Sequence, residues 1–418
     1  MAGPADSLRI AYLAYRGNPN SGGQGVYTRY LTRELRELGH QVTVFGGPPY
    51  PNLEEGVELV KIPSLDLYRQ PDPFRVPKLS EFNDAIDALE FAYMCTAGFP
   101  EPLTFSLRAR KVLAQRRADF DLIHDNQCLG QGLLGMMKDG WPLIATLHHP
   151  ITVDRDLELS HARTPWRKMT FRRWYGFLRM QARVTRQLPR IITVSENSRR
   201  DSAAQMGIDI NRISVVPVGV DHLRFTPLPE IKRVPGRLMT TASADVPLKG
   251  LVPLLEALAK VRTERHAELV VVGMPKAQTR VGETISRLGL AGSVRFLSGV
   301  TDQKIVELYA SAEVAVVPSL YEGFSLPAVE AMACGVPLVG TTGGAVPEVI
   351  GQDGVTGLLV PPGDPSALAG AIVRALDDAD LRARLGAAGR ERVLDKFTWR
   401  KTAEGTVVQY RELLDAHR

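Results

Sequence analysis

Short, wholly apolar runs alternate along this chain with segments whose apolar residues recur at helical spacing, and glycine- or proline-bearing loops separate the two. Residues 8–15 (LRIAYLAY) read as a first buried strand. A loop with Ser21-Gly22-Gly23-Gln24-Gly25 follows. Val26, Tyr27, Tyr30, Leu31, Leu35 and Leu38 then mark one face of a helix that Gly39 ends, and residues 41–45 read as a second strand. Further strands are expected at 122–124, 143–147, 190–194, 238–242, 268–273, 294–297, 314–317 and 337–341, with a helix at 251–260 and a helical tail from 366 to 418. Near-continuous apolar strands followed by helices are the pattern of parallel sheets covered on both faces. Between 46 and 120 the pattern loosens into a mixture of Pro with Tyr, Phe, Leu and Met, and no element is predicted there.

Length changes the picture first. A chain of 418 residues exceeds one ordinary core and suits two domains of roughly 200 residues each. With 44% apolar and 23% charged residues the composition is that of a soluble globular protein, and no apolar stretch reaches the roughly 18–20 residues of a membrane span. The opening MAGPADSLRI runs almost at once into a strand, which argues against a signal peptide. Cys95, Cys128 and Cys334 are odd in number and far apart, so neither a disulfide framework nor a zinc site is suggested, and a reducing, cytoplasmic location is expected.

The candidate chemistry centres on residues 319–330, SLYEGFSLPAVE. The 314–317 strand ends at Pro318, a glycine-bearing loop follows, and Pro327 stands where a helix can begin. Strand, turn and helix start together aim unpaired backbone N–H groups at one place, which suits phosphate. Glu322 in the loop and Glu330 in the first turn would repel phosphate, but they are strong acceptors for sugar or ribose hydroxyls. A structural reading competes, in which Glu330 only complements the helix dipole and Glu322 is a solvated loop charge.

Glu322 and Glu330, with seven residues between them inside EGFSLPAVEAMACGVPLV, resemble the E-x7-E signature of retaining GT-B glycosyltransferases, in particular glycosyltransferase family 4. The resemblance is strong over 238–365, fair over 8–45 and 122–221, and negligible from 46 to 120. It implies an α/β GT-B fold, two Rossmann-like domains facing a central cleft. These would be residues 1–222 for the acceptor and 223–400 for the nucleotide-sugar donor, with 401–418 a last helix crossing back to the first domain. It also implies that Gly22, Gly23, Lys249, Glu322, Gly323, Phe324, Ser325, Leu326 and Glu330 contact the donor, Lys249 on its diphosphate and Glu330 on its ribose. The base would be held near 294–300 by backbone groups. The family usually has an Arg where this chain has Ser243 or Ala244, so one expected cation is missing.

At the ends of the strands at 122–124 and 143–147 stand His124-Asp125-Asn126-Gln127 and Thr146-Leu147-His148-His149. In open parallel sheets ligands bind at the carboxyl ends of strands. Family members often carry H-x-H after the first of these strands and T-x-H after the second; here Asn126 replaces the second His, and the other motif is intact. Asn126 and His148 are therefore expected beside the reacting sugar, and they join Lys249 and Glu322 as catalytic candidates. His124 and His149 are candidates on the acceptor side.

Charge adds one feature. Residues 163–190 hold nine Arg or Lys and no acid; without them the net charge of +5 would be −4. On a helix, Lys168, Arg172, Arg179, Arg183, Arg186 and Arg190 would form one stripe, with Trp166, Phe171, Trp174 and Phe177 interleaved. That suggests peripheral contact with an anionic membrane, placing the protein at its inner face, against the plainer reading of a solvated basic face. No motif supports nucleic acid as a partner.

The expected activity is retaining, metal-independent transfer of a hexosyl group from a UDP- or GDP-sugar to a sugar, metabolite or lipid-linked acceptor, with no cofactor. Two other classes remain open: a nucleotide-sugar epimerase or hydrolase of the same architecture, and a non-catalytic sugar-nucleotide-binding protein.

Overall fold

A computed structural model describes residues 7–17, 23–69, 71–162, 164–242, 246–274 and 280–418, apart from the side chains at 153, 154, 157 and 161. The chain divides into two compact units. The first comprises Met1–Val194, Ser198–Val216 and Thr402–Arg418, and the second Ser195–Asn197 and Pro217–Lys401.

Unit 1 is built on seven parallel strands, β1 (Arg9–Ala14), β2 (Gln41–Gly46), β3 (Glu58–Lys61), β4 (Leu122–Asn126), β5 (Leu143–Leu147), β6 (Arg190–Thr193) and β7 (Ile213–Val215). Their spatial order is 3-2-1-4-5-6-7. Ile10, Ala11, Tyr12 and Leu13 in β1 are all fully buried, so both faces of the strand are covered. This is why β1 is apolar without alternation. Ala11 and Leu13 join one core with Phe45, Ile123 and Leu143. The helix Trp399–His417 contributes Tyr410, fully buried, to unit 1.

Unit 2 repeats the plan with six parallel strands, β8 (Arg237–Thr241), β9 (Glu268–Val272), β10 (Val294–Leu297), β11 (Val314–Val317), β12 (Leu338–Thr341) and β13 (Leu358–Val360). Their order is 10-9-8-11-12-13. Here alternate residues feed two cores: Leu238, Leu269, Val314 and Val316 one side, Met239, Val270, Ala315 and Val317 the other. The period of two follows from the pleat. The Arg390 guanidinium ties the start of the unit to the end of the helix Leu326–Ala333 by donating to the carbonyls of Phe225 (2.8 Å), Ala333 (2.7 Å) and His222 (3.1 Å).

Two parallel Rossmann-like halves of this kind are the GT-B fold class. Elements in the 46–120 stretch were not foreseen, chief among them β3 and the helices Ala85–Cys95 and Glu101–Ala114. The basic stretch also differs from a single stripe. It forms two helices, Pro165–Trp174 and Phe177–Thr185, separated at Tyr175-Gly176, and Arg190 lies in β6. A break resets the angular phase of the second helix, so the residue steps counted across it do not define one face. Among the described residues no helix is long and apolar enough to cross a membrane.

Candidate active site

In each sheet the strand order reverses between the first and fourth strands. Loops leaving such a point diverge, and the crevice between them is where ligands sit in open α/β sheets. In unit 2 the point lies between β8 and β11. Ser243 and Ala244, the place of the missing Arg, lie outside the described residues. The chain resumes with a helical turn, Pro247–Lys249, and Gly250, whose φ is +67°. A Cβ at Gly250 would sit 1.8 Å from the Pro318 carbonyl oxygen, so the loops after β8 and β11 approach as closely as backbone allows. Leu320 N–H donates to the Leu248 carbonyl at 2.7 Å and fastens them.

That close approach brings Lys249 to Glu322. The ammonium lies 2.8 and 2.9 Å from the two carboxylate oxygens, and Ser319 Oγ donates to one of them at 2.8 Å. Glu322 is 7% exposed, a burial a carboxylate tolerates when its acceptors are filled by charged and hydroxyl donors. Its own backbone is held from behind. Ala345 N–H donates to the Glu322 carbonyl at 2.8 Å, and a Cβ at Gly344 (φ +62°) would fall 2.3 Å from that same oxygen. The Gly343-Gly344 pair is therefore a backing for the acidic loop.

The next helix, Leu326–Ala333, starts with Leu326 and Pro327 and carries Glu330. Glu330 keeps partial solvent access as a residue. Its carboxyl is nevertheless crowded enough that loss of water, followed by the charge of Asp302, pushes its pKa up to about 8. Ser325 precedes the helix fully buried, and its hydroxyl has no partner among the described residues. Gly323 lies between the acidic loop and Phe324, whose ring meets Phe397 edge-on at 5.9 Å.

In unit 1 the reversal lies between β1 and β4, and the end of β4 carries the polar run. Asn126 Oδ1 is 2.7 Å from His148 Nε2. The Asn126 amide nitrogen donates to Thr28 Oγ1 at 3.0 Å and to the Gln24 carbonyl at 3.4 Å, both on the helix Gly23–Glu37. An amide oxygen only accepts, so His148 must carry its proton on Nε2. Burial, then the neighbouring His149, pushes the His148 pKa down to about 3, and the ring is neutral with Nδ1 left as an acceptor. Tyr27 supports it edge-on at 4.7 Å. Gly23 opens that helix, and a Cβ there would meet nothing within 4 Å; Gly22 lies outside the described residues.

His124 is a correction. It is fully buried, with Nδ1 2.6 Å from Tyr410 Oη and Nε2 2.7 Å from Thr146 Oγ1. Both nitrogens are spent inside the unit, and burial pushes its pKa down to about 3, so it is a structural link to the last helix and not an acceptor-side group. His149 stays partly exposed beside His148.

Two residues escaped the sequence reading. The Gln127 side chain accepts from His148 N–H at 2.7 Å and donates to the His149 carbonyl at 2.9 Å, which clamps that dipeptide from both ends. Its φ of +52°, with +53° at Leu129, shows a loop bent against ordinary preference. Asp125 steadies that loop by accepting Leu129 N–H at 2.9 Å; its other oxygen has no partner among the described residues, and burial pushes its pKa to about 7. Their only sequence signal is position, at the end of a strand next to the reversal.

Two Rossmann-like halves on parallel sheets, each with polar groups at its strand-order reversal, are the GT-B arrangement, and comparison with known proteins bears on which family. The model described as "Glycosyltransferase Family 4" matches residues 21–224, and "Glycosyl transferases group 1" matches 231–392. The chain is 51% identical over 408 residues to the MMP alpha-(1->4)-mannosyltransferase of Mycolicibacterium hassiacum, covering 97% of this chain and 98% of that protein. It is 29% identical to the D-inositol 3-phosphate glycosyltransferase of Geodermatophilus obscurus over 97% of this chain and 88% of the relative. Among solved structures, sucrose-phosphate synthase from Thermosynechococcus elongatus superimposes with a TM-score of 0.72 at 22% identity, covering 98% of this chain and 100% of that one. A glycosyltransferase from Rickettsia africae does so at 0.69 and 19% identity, covering 98% and 99%. The protein belongs to glycosyltransferase family 4, and it is an enzyme that transfers a sugar from a nucleotide-sugar donor.

Proposed function

We propose that this enzyme is a retaining, metal-independent mannosyltransferase that moves mannose from a nucleotide-linked donor onto a carbohydrate acceptor and forms an α-(1→4) linkage. The observation that carries this reading is the 51% identity to the mannosyltransferase, spread over nearly the whole of both chains. In the proposed chemistry the acceptor hydroxyl oxygen attacks the sugar's anomeric carbon on the face the diphosphate leaves. The bond from that carbon to the phosphate oxygen breaks, its electron pair goes to the diphosphate, and a phosphate oxygen takes the acceptor proton. Lys249, backbone N–H groups and the helix start at Leu326 stabilise the growing negative charge. In the free enzyme Lys249 is neutralised by Glu322. A diphosphate would share that ammonium, and donor hydroxyls would then supply hydrogen bonds to Glu322. Glu330 would accept from the ribose, and His148 Nδ1 from a sugar hydroxyl.

The test incubates the enzyme with GDP-mannose, UDP-mannose or UDP-glucose and a short mannoside. The expected result is a product one hexose longer whose new linkage is α-(1→4) by NMR. Nucleotide release without an acceptor would indicate a hydrolase, and donor binding with no turnover a binding protein.

The helix Pro165–Trp174 supports a second feature, peripheral contact with an anionic membrane. Trp166 is 71% and Met169 52% exposed, and beside them Arg167 and Lys168 have no acidic partner among the described residues. An exposed Trp flanked by free cations is the pattern of an interfacial segment. Failure of acidic liposomes to sediment the protein at low salt would end this reading.

A further inference from the structure

Unit 1 contains a cavity of about 420 Å³ that neither the donor site nor the Asn126–His148 pair explains. Two of its wall residues, Gln127 and Leu147, are the chain neighbours of Asn126 and His148. Leu147 directly precedes His148, and Gln127 clamps the His148-His149 backbone. The cavity therefore adjoins the reacting edge of the sheet through the residues that fix His148. Its lining is divided in character. Leu147, Ile151 and Leu178 make an apolar part, while Arg172 and Arg179 are exposed and have no acidic partner among the described residues. Tyr175, at the break between the two basic helices, adds an aromatic ring.

Sugar rings have the same division, with apolar C–H faces and hydroxyl edges. A guanidinium fork donates in parallel to two neighbouring oxygens, which vicinal hydroxyls present. A cavity of this volume is in the range that encloses small ligands, and it is large enough for more than one ring. A simple anion would have no use for the apolar part. The chain breaks at Tyr175-Gly176, and one Arg from each helix, Arg172 and Arg179, lines the same cavity.

We propose that this cavity is an acceptor subsite, holding the sugar residues behind the accepting hydroxyl, with Arg172 and Arg179 donating to their hydroxyls. The proposal rests on the mannosyltransferase reading for the choice of sugar. Its test is direct binding of α-(1→4)-linked mannotriose to the full-length enzyme without donor, by calorimetry and saturation-transfer NMR. The wild type binds, and in Arg172→Ala/Arg179→Ala the affinity falls about tenfold or more, as expected for losing two charged donors. Donor affinity and melting temperature stay at the wild-type level, because both side chains are exposed and belong to the other unit from Lys249. Absence of mannotriose binding to the wild type, or equal affinity in the variant, overturns the subsite. A different failure marks the functional reading: mannotriose binds and depends on both arginines, yet no mannosyl donor is turned over, and then the subsite stands and the donor assignment falls.

Discussion

The carboxyl edges of the two sheets make an instructive pair, because one strand order carries opposite electrostatics. In unit 1 the groups that bridge the reversal are neutral imidazoles and an amide, and the one carboxyl behind them, Asp125, is pushed up to about 7. His124 and His148 are pushed to about 3, and an amide, Asn126, occupies the bridging position. In unit 2 the same topological point holds a partly buried ion pair, Lys249–Glu322, and a carboxyl pushed up to about 8. The neutral edge suits recognition of hydroxyls, where an unpaired charge would cost more than it contributes. The charged edge suits a leaving diphosphate, whose charge changes during reaction. In the proposed reading, one architecture separates two tasks by the residues placed at equivalent strand ends.

The comparison breaks most completely at Gly250. Gly250→Ala places a methyl 1.8 Å from the Pro318 carbonyl in a left-handed backbone, so the loops of the charged edge must part. We expect about 3 kcal/mol or more of destabilisation and loss of donor-induced thermal stabilisation, read by melting curves with and without nucleotide-sugar. In Gly23→Ala, at the neutral edge, the methyl meets nothing, and the melting temperature should stay within about a degree of wild type, as for substitutions below 0.5 kcal/mol.

Lys249→Ala should lower kcat by about 10²–10³-fold, the range for removing one preorganised donor to a developing oxyanion. It also leaves Glu322 with Ser319 as its remaining side-chain donor among the described residues, and costs about 1–2 kcal/mol, below a fully buried pair because Lys249 is 30% exposed. Adding Glu322→Gln should restore the stability and leave turnover lost. A double variant as unstable as the single one would mean the pair is not what holds the loop.

Asn126→Ala removes the acceptor of His148 Nε2–H and with it the tautomer. A fall in kcat of about 10–10²-fold with unchanged donor affinity is expected, since proton placement and not binding is disturbed. Equal activity in the variant would remove Asn126 and His148 from the proposed shell.

The smallest effect is one of pH. Glu330 has a folded pKa of about 8, above the ordinary 4.5, so between those values the folded protein holds a proton the unfolded chain has lost. Stability from this group therefore falls as pH rises from 4.5 and levels off above 8. Glu330→Gln removes the term, and its melting temperature should gain on wild type across that window and then stay level. Donor affinity of the wild type should rise through pH 8 as the carboxylate forms, while the variant binds weakly at every pH. A melting difference flat with pH would show that Glu330 is not held protonated.

The two-domain α/β plan was legible because buried parallel strands must be apolar on both faces, and such runs stand out: residues 314–317 appear as β11 and 8–15 contain β1. The E-x7-E spacing was legible because both residues belong to one local strand–loop–helix unit. The stretch from 46 to 120 was not. Strand β3 is an edge strand with partly exposed residues, and Pro100 and Pro102 obscured a helix that begins between them. The stripe at 163–190 was read as continuous because spacing alone does not reveal the break at Tyr175-Gly176.

By itself the sequence determined which residues could carry charge or accept a hydrogen bond, and the periodicities that place them at strand ends, since both depend on neighbours within a few positions. Only tertiary structure decided which of them meet. Tyr410 claims His124 across 286 residues, and Lys249 pairs with Glu322 across 73. Gln127 reaches His148 because the end of β4 lies beside the end of β5. Contacts between distant segments follow from how sheets and helices pack, and no local pattern encodes them.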